Sequence, residues 1–291
     1  MKLDTSNTNP NVKTDYLLLF VLIIIGTGLR FWNFQNIPFM HDELSALSRL
    51  QFDNLSDVIF KGAKIDGHPA GLHVFLYFWI SMFGTSEMAV KLPFIISGIT
   101  AIWICYLIGH LWFDSTTGIL SAVFIASSQF FILYSQIARP YISGLLITSL
   151  MVYFWSLYFF KQSKNRYLIL YVLFSAMAAY NHHFSLLFAA IVGVTGLFLV
   201  RKNNFLAYLI GGISIFVLYV PHLNIFFSQL SQGGIGSWLS KPKPTFIIEF
   251  LSWIFQYSYW VWFGLAGVVL SLVVFVKGKL STFEYGDKKR W

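Results

Sequence analysis

The chain has 291 residues, of which 57% are hydrophobic and only 11% charged, with a mean hydropathy of +0.67 and a formal charge of +8. Soluble domains carry about 25% charged residues, so this composition excludes a soluble globular enzyme and leaves no polar stretch for a separate soluble domain. The basic excess is read as cytoplasmic loops beside lipid headgroups rather than nucleic-acid binding. The single Cys105 lies in an apolar run and excludes a disulfide framework or a thiolate metal site.

Hydropathy places the spans, and Lys/Arg placement orients them. Tyr16 to Trp32 is the first span, read as a retained signal-anchor because Lys2 and Lys13 precede it and no small-residue cleavage site follows. The 14 residues from Ala70 to Phe83 are too few to cross and are expected to lie as a juxtamembrane helix on the outer side. Pro93 to Trp112 then runs inward, and Asp114-Ser115-Thr116-Thr117 is cytoplasmic. Gly118 to Phe160 folds into two spans, with Ala138-Arg139-Pro140-Tyr141 at the outer turn. Between the basic clusters Lys161/Lys164/Arg166 and Arg201/Lys202 lie 34 apolar residues, too long for one crossing. They are expected to form a hairpin of two spans with Asn181-His182-His183 at its outer tip. Phe205 to Val220 goes out, Pro221 to about Thr245 is an outer loop, and Phe246 to Tyr257 is a second interfacial helix. Tyr259 to Val276 returns to a basic C-terminal end. The expected fold is all-α and integral to the membrane, a single module over residues 1–291 with about eight transmembrane helices and both termini inside.

The first outer loop, residues 33–92, holds the most informative stretch. Only 12 carboxylates occur in the chain, and Asp42 and Glu43 stand together just past the first span, ahead of Asp66-Gly67-His68-Pro69. Leu44, Leu47 and Leu50 recur at helical spacing, and Leu55, Val58 and Ile59 follow Asn54, an expected N-cap. Two short amphipathic helices on the membrane surface are therefore expected, ended by Lys61-Gly62-Ala63-Lys64. Asp42 reads equally as a helix cap and as a catalytic base. An Arg such as Arg139 at a hairpin tip is costly unless it meets water, a carboxylate or a phosphate. Charge-based topology brings Asp42, Glu43, His68, Arg139, His182, His183 and His222 to one side, where carboxylates and cations together suit a substrate with a leaving phosphate and an acceptor hydroxyl.

These motifs resemble the dolichyl-phosphate-mannose protein mannosyltransferase-like membrane glycosyltransferases of the GT-C class, which also contains the aminoarabinose lipid A transferases. His41-Asp42-Glu43 resembles their Asp-Glu motif, and Gly67-His68-Pro69-Ala70-Gly71-Leu72 their His-Pro-Pro-Leu segment. Phe83 to Pro93 resembles a Phe-Gly-x-Ser-Glu-x-x-x-Arg-Leu-Pro stretch. Tyr134 to Tyr141 is similar to a Tyr-x-x-x-Ala-Arg-Pro-Asp turn, and Asn181-His182-His183-Phe184 falls where Thr-His-x-Phe is common. The resemblance implies transfer of a sugar from a polyprenyl-phosphate carrier to a glycan, lipid or protein acceptor at the outer face of a bacterial plasma membrane. It implies Asp42 as general base and Glu43 as an acceptor-orienting or site-shaping group. Arg139 is the expected phosphate ligand, with Lys91 and Arg49 in reserve, His68 as a nearby donor, and His182 and His183 in the substrate site. No cofactor is required, and a divalent metal at His182, His183 and Asp42 is conceivable without being indicated. The sequence departs from the pattern at Ser45, Ala70 and Tyr141, and relatives carry further C-terminal spans that this chain is expected to lack. A lipid flippase or transporter, or a non-catalytic membrane assembly protein of the same architecture, is the alternative reading.

Overall fold

The computed structural model describes residues 10–232 and 241–255, and every regular element among them is helical. The chain enters through α1 (Pro10–Phe31) and a 3-10 turn (Phe34–Asn36). α2 (His41–Ser48) and α3 (Leu55–Asp57) follow, and α3 runs on through a π turn (Val58–Gly62) and a 3-10 turn (Ala63–Ile65). Next come α4 (Gly71–Phe83), α5 (Glu87–Trp112), α6 (Ser115–Ser127) and α7 (Gln129–Ser135). α8 (Ile142–Ser156) ends in a π turn (Leu157–Lys161), ahead of α9 (Asn165–Asn181) and α10 (His183–Leu199). α11 (Lys202–Tyr219) leads through a 3-10 turn (Val220–His222) into α12 (Leu223–Ser231).

Local chemistry sets the boundaries. Asn54, Ser86 and Asp114 each accept a backbone N–H three residues on, from Asp57, Ala89 and Thr117, and so cap their helices. Gly84, at φ 84°, ends α4 in a conformation that only glycine adopts cheaply. Pro93 inside α5 has no N–H to offer the carbonyl of Ala89. The Trp79 indole N–H donates to that carbonyl instead, at 2.7 Å, and ties α4 to α5.

Between α6 and α7 the chain bends by 59°. The carbonyls freed at the end of α6 are taken up by Arg30, which is fully buried. Its guanidinium donates to Ile125 O at 2.9 Å, Ala126 O at 3.3 Å and Ser135 Oγ at 3.0 Å. A cation at a helix C-terminus meets both the orphan carbonyls and the negative end of the dipole.

Three of the apolar clusters hold the helices together, and a small fourth joins Ala63 and Ala70 to Ile225 of α12. One joins the loop after α2 to α4, α5 and α8 through Leu50, Leu76, Phe94 and Ile142; one joins α8 to α11 through Trp155, Tyr171, Ala189 and Tyr208; one joins α1 to α5 and α6 through Leu19, Ile102 and Ile125. Many large apolar side chains outside them face outward, among them Phe20, Phe124, Phe198 and Phe216. A bilayer, not water, suits such a surface.

Among the described residues, four helical stretches are long and apolar enough to cross a membrane: 13–36, 87–112, 142–161 and 202–231, with the bent pair α6–α7 as a fifth. The chain is thus a helical membrane protein, and its described residues show four or five clear crossings where seven of the eight expected spans fall. α9 and α10 break at His182, within the tip expected from sequence, but each has 17 residues, about 25 Å of helix, short of a core about 30 Å thick. α4, at 13 residues, is shorter still. The expected final span Tyr259 to Val276, the basic C-terminal end and Gly233-Gly234 lie outside the described residues.

Two expectations about loops are corrected. Residues 223–231 are helix rather than outer loop, because the 3-10 turn accommodates Pro221 at its start and lets the chain continue. Lys61 to Lys64 does not end the helical path either, and Gly62 packs so closely on the Arg49 carbonyl that a Cβ would collide with it.

Residues 240–291 form a second unit. Its described part contains α13 (Phe246–Ile254), where Thr245 Oγ1 donates to Glu249 Oε1 at 2.6 Å and Phe246 stacks on Phe250.

Candidate active site

Five segments bring polar side chains to one end of the first unit: the 37–49 region, the 62–73 connection into α4, the 135–141 turn, the junction of α9 and α10, and the 222–231 segment containing α12. The basic clusters Lys161/Lys164/Arg166 and Arg201/Lys202 lie at the opposite ends of α8 to α11.

The acidic pair divides its labour. Glu43 is completely buried. Its Oε2 accepts Met40 N–H at 2.8 Å and stands 3.7 Å from Lys91 Nζ, while Oε1 accepts Ala138 N–H at 2.7 Å. Lys91, also completely buried, donates to the carbonyls of Ile37 and Pro38 at 2.9 and 3.0 Å and lies 5.3 Å from the Phe39 ring centre. Glu43 and Lys91 therefore clamp the entry to α2 onto the turn carrying Arg139, and the Lys91 ammonium is occupied by this task. Asp42 is different: its side chain is 64% exposed, with the His41 ring Nδ1 3.8 Å from its Oδ1. Asp42 lies inside the first turn of α2, with Met40 in the cap position.

The centre of the cluster is Asp66, which the sequence does not single out as a site residue. It is 6% exposed. Oδ1 accepts Gly67 N–H at 2.6 Å and lies 3.2 Å from His68 Nδ1. Oδ2 faces His73 Nε2 at 3.2 Å, Arg49 Nη1 at 3.7 Å and Arg139 Nη1 at 3.9 Å, with no aligned hydrogen bond. Burial alone pushes this carboxyl up, but the close approach of the His68 and His73 ring nitrogens overcomes it and holds Asp66 far below the usual carboxylate range. A carboxylate so strongly held ionised is a poor proton acceptor.

Arg139 is 4% exposed, and its Nη2 lies 2.8 Å from His68 Nδ1. That ring nitrogen cannot both accept from Arg139 and donate to Asp66, so its tautomer decides which partner it serves. Arg139 Nε and Nη1 are buried with no hydrogen-bond partner, although a guanidinium has five donors to satisfy. Arg49 is spent in part on Ser45, donating to its carbonyl at 2.9 Å and to its hydroxyl.

The histidines frame this centre. The His182 ring packs edge-on to His68 with centroids 5.2 Å apart, and its Nδ1 accepts Phe184 N–H, capping α10. Burial, reinforced by the charges of His68, His183 and Arg139, pushes His182 down to about 4. His183 Nε2 pairs with Gln229 Oε1 at 3.0 Å, and Gln229 Nε2 donates to the carbonyls of Ala63 and His68. His222 Nε2 accepts Ala70 N–H at 2.9 Å. Thus α12, expected to be loop, supplies the wall that fixes the 63–70 connection. Among the described residues no group of three or more His, Cys, Asp or Glu is arranged to hold a metal ion.

Beside the polar cluster lies an apolar cavity of about 360 Å³, lined by Leu72, Phe75, Phe94, Leu146, Ile147 and Met177 among others. Gly71, Ser143 and Asn181 also line it. Gly71 is three residues past His68, Ser143 four past Arg139, and Asn181 one before His182, so the segments delivering the polar cluster also build the cavity. Asn181 locks two of them, donating to Pro140 O at 2.8 Å and accepting from Ser143 Oγ at 2.9 Å.

Asp66 and His73 carry a faint signal in sequence, a carboxylate among only 12 and a histidine, each placed close to His68-Pro69. Gln229 carries none, because its role depends on contacts more than 160 residues away. In comparisons with known proteins, no curated protein and no solved structure matched the chain. A family model did match, over residues 67–225, more than half of the chain and including His68, Arg139, His182, His183 and His222. That match points to membrane glycosyl transfer as the class of activity. The chain belongs to the dolichyl-phosphate-mannose-protein mannosyltransferase family.

Proposed function

We propose that the protein transfers a sugar from a polyprenyl-phosphate carrier to an acceptor hydroxyl, with the donor phosphate at Arg139 and Asp42 as general base. The observation that carries this reading is Arg139 itself: a buried guanidinium whose Nε and Nη1 make no hydrogen bond, on the turn that leads to the cavity at Ser143. Unpaired buried donors are costly, and an anion satisfies them. A ligand that is anionic at one end and hydrocarbon at the other fits the arrangement, with the phosphate at Arg139 and His68 and the first isoprene units in the cavity. Lys91 is left out of phosphate binding because its ammonium is engaged by Ile37, Pro38 and Glu43.

In the reaction, the acceptor oxygen bonds to the anomeric carbon as the bond from that carbon to the phosphate oxygen breaks. The electron pair leaves with the polyprenyl phosphate, where Arg139 stabilises the departing charge. The acceptor proton passes to Asp42. Of the three carboxylates on the 37–49 and 62–73 segments, Glu43 is consumed by its clamp and Asp66 is held too strongly as an anion, so Asp42 is the one left for proton transfer, a role worth about 10² to 10⁴ in rate. Glu43 then shapes the site rather than touching the reactants. The positive-inside tendency supports the outer face for this chemistry, since the basic clusters lie at the far ends of the helices.

The test is reconstitution in proteoliposomes with labelled polyprenyl-phosphate sugars and a panel of glycan, lipid and protein acceptors. Labelled product together with free polyprenyl phosphate is the expected result. Lipid crossing the bilayer without any bond cleavage would overturn it in favour of a flippase, and neither event would favour an assembly role.

A further inference from the structure

We infer that Asp66 is a built-in counter-ion that occupies the positive field of the anion site and gives it up when a phosphate arrives, so that it sets how weakly the site holds phosphate. The inference rests on the donor reading above and deepens it. Asp66 Oδ2 faces three nitrogen-bearing groups at 3.2 to 3.9 Å and is aligned with none of them. Glu43, which holds the fold, is bonded instead through short contacts from two backbone N–H groups. Oδ1 shows that the same residue is capable of such a bond, since it accepts Gly67 N–H at 2.6 Å. Asp66 is therefore anchored by one oxygen, while the other neutralises Arg49 and Arg139 loosely.

The consequence follows from charge. Two guanidinium groups, Arg49 and Arg139, and two imidazoles, His68 and His73, surround one carboxylate in a buried space. Without Asp66 this cage would bind a phosphate tightly and release it slowly. With Asp66, an incoming phosphate meets a like charge a few ångströms away, and the repulsion weakens its binding. A transferase whose product is itself a lipid phosphate gains from this, because uniform tight binding does not raise turnover and slows release. Asp66 is thus a positioning residue acting through Arg139 and Arg49, and it touches no reacting atom.

The experiment titrates farnesyl phosphate into the full chain in detergent, with inorganic phosphate and farnesol as controls, for wild type, Asp66→Asn and Asp66→Glu. Thermal unfolding and gel filtration monitor folding. The expected result is that Asp66→Asn, though less stable, binds farnesyl phosphate about tenfold more tightly, while farnesol is unaffected. Asp66→Glu keeps the charge and reaches one methylene further toward Arg139, so it binds several-fold more weakly. Equal or weaker binding by folded Asp66→Asn overturns the inference. Should that variant fail to fold, unchanged or tighter binding by Asp66→Glu overturns it on its own. A wild-type chain that binds no farnesyl phosphate removes the donor reading and this inference with it, whereas wild-type binding without the expected change in the variants removes the inference alone.

Discussion

Glu43 Oε1 accepts the backbone N–H of Ala138 at 2.7 Å, across 95 positions of sequence. This bond fastens the acidic pair to the turn that carries Arg139, and it explains why two neighbouring carboxylates have different tasks. Glu43 is buried and fully engaged, and Asp42 is free.

Replacing Glu43 by Gln substitutes an amide for a carboxylate that accepts two backbone N–H groups beside a buried ammonium. One amide end then faces an N–H with an N–H, and Lys91 loses its counter-charge. The expected loss is about 2–4 kcal/mol, read as a lower denaturation midpoint in detergent. Asp42→Asn should leave that midpoint unchanged, since its side chain is mostly exposed. Equal destabilisation by the two substitutions would contradict this division.

Arg139→Lys keeps the charge but loses the planar fork. The apparent KM for a lipid-phosphate donor should rise by about 10- to 100-fold, or 1.4–2.8 kcal/mol, with a smaller change in kcat. A variant with wild-type KM would remove Arg139 from phosphate recognition. Lys91→Arg, measured in parallel, should act mainly on stability.

The apolar cavity makes a separate prediction. Leu146→Trp would fill part of its about 360 Å³, so affinity for farnesyl phosphate should drop several-fold while affinity for inorganic phosphate stays the same. If both fall equally, the cavity is not where the hydrocarbon goes.

His182 predicts an acid-side instability. Its imidazole is held down to about 4 against an ordinary 6.5, first by burial. The folded chain therefore binds fewer protons than the unfolded one between these values, and stability rises with pH across the window. It is fully present above pH 6.5 and is lost as pH falls toward 4. His182→Asn keeps a capping side chain but cannot titrate there, so its unfolding temperature should fall less steeply over that range. An identical slope would show that His182 is not a source of the effect.

Much of this organisation is legible in sequence where it rests on local chemistry. The cap at Asn54, the break at His182 and the shortness of α4 follow from residue type and span length. What stays hidden depends on distant partners. The bend between α6 and α7 needs Arg30, about 100 residues upstream, to take the carbonyls of Ile125 and Ala126. Pro221 reads as the start of a loop, yet a 3-10 turn carries the chain into α12 and delivers Gln229 to His183 and His68. The cluster around His68 and Arg139 could be anticipated from charge-derived topology. Asp66 at its centre could not be ranked above Asp42, because burial, not residue type, separates them.

The most direct measurement compares wild type with Asp42→Asn for sugar transfer from a labelled polyprenyl-phosphate donor in proteoliposomes, using the same preparations for farnesyl phosphate binding. The account predicts a rate lower by about 10² to 10⁴ with phosphate affinity and unfolding temperature unchanged. Transfer at the wild-type rate by Asp42→Asn would contradict it.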